Sequence, residues 1–251
     1  MGGRVPPLVL LGAFKEETDG LRKRMKVERM VARQGWRLFQ GRYAGRELLL
    51  VQTGPGRRQV EAAMESLLAS RPFVSGIVSL GFAGALSEEL EAGELVLCSL
   101  LRDGDGDGAE GSCRSDPWLM NLAENAAAEG AVRVGTGVTV SRVVGRREER
   151  AALWKTLGAE VVDMESFWAG RLAQRWGIPF LAVRAVSDTV THELPPFDQF
   201  LGPDGRWQLG KGAKYFLSHP ADLAKMPGVY VNSRRAAARL TGLLEAVILQ
   251  L

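Results

Sequence analysis

The sequence predicts an α/β fold in which a mixed or parallel β-sheet is flanked by helices. Short apolar runs end in glycine or a polar residue, as the first run does at Leu8–Gly12, and this pattern is typical of buried strands. Segments with helical spacing separate these runs along the chain, which favours a sheet with helices packed against it. No internal repeat or linker divides the 251 residues, so one domain over residues 1–251 is expected.

The strands are predicted from apolar runs and the turn residues that bound them. Trp36–Gln40 and Glu47–Thr53 flank a connection with two glycines, Gly41–Arg46, which is typical of a hairpin. The glycines of Gly81–Gly84 are expected to end the buried strand that begins at Val74. In chain order, the predicted strands cover residues 8–12, 36–40, 47–53, 74–80, 94–101, 133–141, 160–163 and 180–186.

The helices are predicted from helical spacing and from residues that start or stop a helix. Asp116 is a good N-cap, with Pro117 at the first helical position. Asn232 is expected to cap a last amphipathic helix, and residues 103–111, rich in glycine and aspartate, are expected to form a mobile loop. The predicted helices cover residues 16–25, 57–69, 117–129, 147–157, 164–176 and the chain from 232 onward.

Composition excludes several classes of protein. The net charge of +3 is too small to indicate nucleic-acid binding. The two cysteines, Cys98 and Cys113, lack metal-ligand spacing and are too few for a disulfide scaffold, so reduced thiols and a cytoplasmic location are expected. No signal-peptide pattern and no apolar run of about 18 residues occurs, so no transmembrane segment is expected.

Two carboxylates stand at the ends of predicted elements rather than on polar faces. Glu165 follows the short strand Val161–Asp163, and Asp188 stands where the buried strand from Phe180 stops. In an open α/β sheet, ligands bind beyond the carboxyl ends of the strands. The sequence therefore predicts a ligand site that includes both acids.

Four motifs occur in order between Leu8 and Thr189. They are Gly12-Ala13-Phe14-Lys15-Glu16-Glu17, Thr53-Gly54-Pro55-Gly56, Gly81-Phe82-Ala83-Gly84-Ala85-Leu86, and Met164-Glu165 with Ser187-Asp188. In this order and spacing they resemble the nucleoside phosphorylase/nucleosidase superfamily. Among its well-known members, the motifs are most similar to those of the methylthioadenosine/S-adenosylhomocysteine nucleosidases. The resemblance implies one α/β domain around a mixed, partly barrel-like sheet, and an enzyme that breaks the N-glycosidic bond of a purine nucleoside. It also implies a homo-oligomer and a reaction without metal or organic cofactor.

The resemblance assigns the leaving-group chemistry to Asp188. A purine is a poor leaving anion, and Asp188 would protonate it at N7 as a general acid, a role worth about 10²–10⁴ in rate. Ser187 would position the base or Asp188. The residues Val183–Val186 would provide apolar walls around the acid.

The resemblance assigns the ribose and the nucleophile to two glutamates. Glu165 would accept hydrogen bonds from the ribose hydroxyls while the sugar gains positive charge, with Met164 packed on the ring. Glu17 would orient the attacking nucleophile. By itself, the run Lys15-Glu16-Glu17 is more typical of a solvated helix start.

The phosphate-binding pattern of phosphorolytic relatives, Arg-x-Gly-Ser, is absent. The matching run is Ser79-Leu80-Gly81-Phe82, with Phe82 in place of the serine. Gly54 and Gly81 allow a ligand to approach the backbone closely. Arg57, at a predicted helix N-terminus, is a candidate anion-binding residue. Hydrolysis and phosphorolysis therefore both stay open, with inorganic phosphate as a candidate co-substrate.

The base pocket also departs from the superfamily. The run Val138–Val144, which contains Ser141, matches the strand before that pocket. The aromatic residue that usually follows and stacks on the purine is absent. Either another ring, Phe82 or Phe167, takes its place, or the base is held in a different way.

Residues 194–251 differ most from the sequence pattern of the superfamily. Leu194-Pro195-Pro196, the turn Pro203-Asp204-Gly205 and the run His219–Leu223 resemble the subfamily of hopanoid-associated phosphorylases. That resemblance implies an adenosylhopane substrate that loses adenine. An apolar segment would shelter the polycyclic lipid, and basic residues would contact anionic headgroups at the membrane periphery. The basic residues are Lys211, Lys214, Lys225, Arg234 and Arg235.

Several alternatives stay open at this level. The segment 194–251 is equally compatible with an ordinary helical cap on the sheet. A methylthioadenosine-type or futalosine-type nucleosidase is the competing enzyme class. The departures at Phe82 and in the stacking aromatic also suit a nucleoside-binding protein without activity.

Overall fold

A ten-stranded mixed sheet forms the centre of the computed structural model, which describes residues 5–71, 73–106, 111–200, 202 and 208–251. Its strands are β1 (Leu8–Gly12), β2 (Lys26–Arg33), β3 (Trp36–Tyr43), β4 (Arg46–Gln52), β5 (Gly76–Ala85), β6 (Leu95–Asp103), β7 (Ser112–Arg114), β8 (Val132–Thr139), β9 (Val161–Asp163) and β10 (Phe180–Asp188). The helices are α1 (Lys15–Arg22), α2 (Arg57–Ser70), α3 (Pro117–Ala126), α4 (Arg147–Leu157), α5 (Ser166–Arg175), α6 (Leu209–Ser218) and α7 (Pro220–Gln250), with a 3₁₀ turn at Phe197–Phe200.

Half of the sheet closes into a barrel. The strands β5, β9, β8, β6 and β10 follow one another, and β10 pairs again with β5 to close the ring. From β5, the strands β1, β4, β3 and β2 continue as an open extension. The expectation of one α/β domain with a mixed, partly barrel-like sheet is confirmed.

The parallel strands bring their carboxyl ends to one edge. β1 pairs in parallel with β4 and β5, and β10 pairs in parallel with β5. The loops after β1 and β4 are joined by backbone bonds, since Thr53 N–H donates to Gly12 O at 2.9 Å and Gly54 N–H donates to Ala13 O at 3.1 Å. This edge is where a ligand site is expected in such a sheet.

Each face of the sheet carries its own core. Successive strand side chains point to opposite faces, so Leu8 and Leu10 pack on one side and Val9 and Leu11 on the other. Helices α2 and α5 cover the Val9 side, and helices α1, α3 and α7 cover the Leu8 side. Both faces are therefore buried, which explains why these strands are continuous apolar runs.

Several predicted elements match the structure closely. Helix α4 has the bounds expected from the sequence. Asp116 caps α3, where its carboxylate accepts from the N–H groups of Trp118 at 2.9 Å and Leu119 at 3.1 Å. The hairpin of β3 and β4 turns at Ala44-Gly45.

Other predictions are wrong for identifiable reasons. β5 does not end at Gly81 but continues to Ala85, because its glycines are paired in the sheet. β2 was not predicted because this edge strand exposes almost all of its side chains and lacks an apolar run. Asn232 does not cap the last helix but lies inside α7, which begins at Pro220.

Helix α7 has two contrasting halves. After Arg235 one side of the helix is buried in the core through Leu240, Leu243, Leu244 and Val247. Before Ala236 none of its side chains is fully buried. The predicted turn at 203–205 and residues 107–110 of the predicted loop lie outside the described residues. Among the described residues, no helix combines the length and apolar character that a membrane crossing requires.

Candidate active site

A cavity of about 750 Å³ opens beside the carboxyl ends of β5 and β10. One wall, here called the acid wall, carries Glu17, Asp163, Glu165 and Asp188 with Phe82, Met164 and Ser187. A second group of lining residues, here called the apolar wall, consists of Leu194, Phe197, Phe200, Ala213, Phe216, Met226, Val229 and Tyr230. Its rings pack on one another, with centroids of Phe200 and Phe216 5.9 Å apart. The volume is in the usual range for small-molecule sites.

Glu17 is fixed by the backbone of two elements. Its carboxylate accepts from Phe14 N–H at 2.8 Å, as an acid in the first turn of a helix commonly does, and from Phe82 N–H on β5 at 2.9 Å. The side chain is only 3% exposed. Burial raises the pKa of Glu17 to about 7, although the two backbone donors and Arg184 oppose the shift.

Glu165 stands at the N-cap position of α5 but does not cap it. Its carboxylate instead accepts from Gly56 N–H at 2.6 Å, at the N-terminus of α2. Burial raises the pKa of Glu165 to about 8, and the negative charge of Asp163 adds to the shift. The N-terminus of α2, which the sequence suggested for an external anion, thus contacts the protein's own carboxylate.

Asp188 pairs with a buried arginine. Arg150, 0% exposed, forms an ion pair with the Asp188 carboxylate through its Nη2. Its Nε donates to Val144 O at 3.0 Å, and its Nη1 donates to Thr189 O at 2.9 Å and to the carbonyls of Ala85 and Asp188 at 3.3 Å. Ser187 Oγ donates to the other Asp188 carboxylate oxygen at 2.5 Å. The expected apolar surroundings from Val183–Val186 are therefore replaced by a guanidinium and a hydroxyl.

A second buried ion pair lies beneath Glu165. Arg184 Nε donates to Asp163 Oδ2 at 2.6 Å, and its Nη2 donates to Ser79 Oγ at 2.9 Å. Asp163 also accepts from Thr139 Oγ1 at 2.6 Å and from the Ser166 hydroxyl. These bonds tie β5, β8, β9, β10 and α5 together at the floor of the acid wall.

Two glycines of β5 make room for the acids. A Cβ at Gly81 would lie 3.0 Å from Glu17 Oε1 and 3.4 Å from Arg184 Nη1. A Cβ at Gly84 would lie 2.9 Å from Asp188 Oδ2 and 3.4 Å from Arg150 Nη1. The motif glycines therefore allow charged side chains to approach the strand, and they do not form a turn.

The other predicted site residues divide into two groups. Met164, Ser187 and Phe82 lie in the cavity wall with the three acids. The remaining four, Gly54, Gly81, Arg57 and Ser141, are not among its lining residues.

Two of these four make contacts away from the cavity. Arg57 lies over the Trp168 ring, with Cζ 3.6 Å from the centroid, and donates to Glu61 at 3.1 Å. Ser141 is exposed, and its N–H donates to the Asp105 carboxylate.

Of the two candidate stacking rings, one faces the cavity. Phe167 is 0% exposed and packs edge-on against Trp168, with ring centroids 4.9 Å apart. It belongs to the core and is not available to a ligand, which corrects that expectation. Phe82 lines the cavity.

Sequence reasoning missed three charged residues of the site, Arg150, Asp163 and Arg184. Arg150 stands in the run Arg146-Arg147-Glu148-Glu149-Arg150, which looks like a solvated helix face. Arg184 was the better signal, because a lone arginine inside the apolar run Phe180–Val186 needs a buried partner.

The chain is similar in sequence to known proteins. The family model described as the phosphorylase superfamily matches residues 7–201. A 5'-methylthioadenosine/S-adenosylhomocysteine nucleosidase of Listeria monocytogenes is 28% identical over 214 residues, which are 76% of this chain and 91% of that protein.

Solved structures give the same fold. The nucleosidase of the same name from Neisseria meningitidis, in complex with methylthio-immucillin-A, is 21% identical with a TM-score of 0.79, covering 98% of this chain and 100% of the other. The futalosine hydrolase of Helicobacter pylori is 18% identical with a TM-score of 0.78, covering 98% and 99%. With the family model matching most of its length, the chain belongs to the phosphorylase superfamily.

Proposed function

We propose that this protein cleaves the N-glycosidic bond of a purine nucleoside that carries a large apolar group on its ribose. One observation carries the proposal: Glu17, Glu165 and Asp188 line the same cavity as a large set of apolar side chains. The similar nucleosidases of Listeria and Neisseria support the reaction class.

In this proposal each acid acts on a different part of the substrate. Asp188, a carboxylate held by Ser187 and Arg150, takes up a proton from water and transfers it to N7 of the leaving purine. Glu165 accepts hydrogen bonds from the ribose hydroxyls and holds the sugar in place as positive charge develops on it. Phe82 stacks on the base and Met164 packs on the sugar.

Water is the proposed nucleophile. Glu17 holds it, since a carboxyl group with a pKa of about 7 can accept a proton from water near neutral pH. Among the described residues, the arginines nearest the cavity have protein partners: Arg142 donates to Glu149 at 3.1 Å, and Arg150 and Arg184 are in buried ion pairs. This supports hydrolysis over phosphorolysis, and the proposed reaction uses no metal or organic cofactor.

The apolar wall suggests the substrate class. A methylthio group is small, whereas the cavity of about 750 Å³ continues along Phe197, Phe216 and Val229. An apolar surface of this kind would remove a lipid-like substituent from water, at about 25 cal/mol per Å² of buried area. An adenosyl-lipid such as adenosylhopane fits this description better than methylthioadenosine or futalosine.

The test is purine release, followed by chromatography, from a series of adenosines. The series contains adenosine, methylthioadenosine and 5'-alkyl adenosines of increasing chain length, each with and without inorganic phosphate. We expect adenine release that does not depend on phosphate and a kcat/KM that rises with chain length. Asp188→Asn should lower kcat by about 10²–10⁴, and Arg57→Gln should have no effect, because Arg57 does not line the cavity.

Each arm has an outcome that contradicts part of the proposal. Release that requires phosphate would make the enzyme a phosphorylase. Equal kcat/KM for methylthioadenosine and long alkyl substrates would contradict the proposal that the substrate carries a lipid-like substituent. Full activity in a folded Asp188→Asn protein would contradict the role of Asp188 as the general acid.

A further inference from the structure

The helices that line one side of the cavity carry a net positive charge. We call residues Gln208–Arg235, which comprise α6 and the first half of α7, the cap. The cap holds Lys211, Lys214, Lys225, Arg234 and Arg235 and one acid, Asp222, which gives +4. A second basic region, residues 22–46, holds nine basic residues and one acid and has a net charge of +8.

Large apolar side chains are exposed on the same helices. Leu217 is 85% exposed, Val231 63% and Leu223 53%. Single exposed apolar residues need no explanation. These three lie within 15 residues of one another in sequence, beside the positive charges, and that combination is typical of helices that lie at a membrane interface.

Helical spacing separates the exposed groups from those that face the cavity. On α6, Lys211, Lys214 and Leu217 are three residues apart and therefore share a face. Gly212, Ala213 and Phe216 line the cavity, and 100° per residue puts them on the opposite side of the helix.

The first half of α7 repeats this division. Leu223, Val231 and Arg234 are exposed and fall on one helical face. Met226, Val229, Tyr230 and Ser233 line the cavity, and Tyr230, which is 62% exposed, lies at the boundary between the two sides of the helix. Each cap helix therefore has one side toward the cavity and another side that exposes apolar and basic residues.

We propose that the exposed face of the cap docks on a lipid bilayer that contains anionic headgroups. The basic side chains would contact the headgroups and Leu217, Leu223 and Val231 would enter the interfacial region. Because the same helices form the apolar wall, a docked cap would hold the cavity close to the membrane. The biological purpose of docking rests on the proposed function, but docking itself can be measured without substrate.

The charge of the cap favours an anionic bilayer as its partner over a second copy of the chain. A second copy of the chain would bring another cap of +4 against the first, which like-charge repulsion opposes. An anionic bilayer complements the cap in both charge and apolar character. A dimer through the cap is therefore the competing outcome.

The experiment is sedimentation of the full chain with vesicles. Vesicles of phosphatidylglycerol and phosphatidylcholine in equal parts are compared with phosphatidylcholine alone, in low and high salt. We expect binding to the anionic vesicles that weakens as salt is added. The double variant Lys211→Gln/Lys214→Gln should bind about 30-fold more weakly, and Leu217→Asn/Leu223→Asn should also bind more weakly to anionic vesicles.

A matched control comes from the edge strand β2. Lys26→Gln/Met30→Asn removes one exposed cation and one exposed apolar side chain outside the cap, and vesicle binding should stay unchanged. All variants should keep wild-type release of adenine from methylthioadenosine, because none of these residues lines the cavity. That assay also separates the two proposals: loss of catalysis with intact vesicle binding would contradict only the proposed function.

Two results would overturn docking. One is an equal affinity of the wild type and the cap variants for anionic vesicles, or no affinity of either. The other is a dimer, seen by sedimentation equilibrium, that dissociates in Leu217→Asn/Leu223→Asn, which would make the face an interface between copies of the chain.

Discussion

The acid wall and the apolar wall of the cavity differ in how the protein holds them in place. On the acid wall, Glu17, Glu165 and Asp188 each accept hydrogen bonds from groups on other elements. On the apolar wall, side chains such as Phe216 and Val229 belong to helices whose other face is exposed.

This difference separates reaction from substrate selection. A reacting carboxyl group must be held within a fraction of an ångström, which a barrel of paired strands and buried ion pairs can do. An apolar wall needs only to fit the shape of the substituent and to exclude water from it, because the hydrophobic effect is not directional. We therefore expect substitutions on the two walls to have effects of different kind and size.

The largest effect is expected from removing Arg150. Arg150→Met leaves the buried Asp188 carboxylate without its cation and removes one donor from each of four carbonyl groups. Loss of one partner of a buried ion pair costs roughly 3–5 kcal/mol, so the free energy of unfolding in urea should fall by that amount. The release of adenine should also decline, because Asp188 is no longer held.

Arg147 on the same helix provides the control. It is exposed and pairs with the exposed Glu88, so Arg147→Met should change the free energy of unfolding by less than about 1 kcal/mol. Arg150→Lys should recover only part of the loss, because an ammonium lacks the planar fork of five donors. Equal stability of the Arg150→Met and Arg147→Met proteins would show that the buried pair does not hold the acid wall.

The next effect is a pH dependence of stability from Glu17. Burial raises its pKa from 4.5 to about 7, so the folded protein binds this proton more tightly than the unfolded chain. The stability that this proton contributes is fully present below about pH 4.5 and is lost as the pH rises through about 7. The loss amounts to roughly 3 kcal/mol.

Glu17→Gln isolates this contribution. Glutamine does not titrate, so the free energy of unfolding, measured in urea from pH 5 to pH 8, should fall less steeply than in the wild type. Glu16→Gln on the same helix, where the side chain is exposed, should keep the wild-type slope. If the free energy of unfolding changed with pH by the same amount in the wild type and in Glu17→Gln, the raised pKa of Glu17 would be contradicted.

The smallest effect is expected on the apolar wall. Val229 lines the cavity, and Val231, two residues further on, is 63% exposed. Val229→Ser should lower kcat/KM for long 5'-alkyl adenosines by roughly 10-fold and leave kcat/KM for methylthioadenosine nearly unchanged. Val231→Ser should change neither, and a similar loss for both substrates in Val229→Ser would mean that this wall does not select the substituent.

Local patterns in the sequence were sufficient for much of this molecule. The apolar runs predicted most of the strands because both faces of the sheet are covered, and the bounds of α4 and the cap at Asp116 follow from short-range preferences. The motif order indicated that Glu17, Glu165 and Asp188 belong to one site, and the cavity includes all three.

Tertiary structure alone decided which of the remaining candidates face the cavity. Arg57 and Phe167 turn to Trp168 and the core, and Arg150, in a charged helical run, is the one residue of α4 that is buried. The physical reason is that burial of a side chain depends on strands far apart in sequence. Closure of β10 onto β5 places Asp188 beside Gly84, and only there does a guanidinium from α4 find its partners.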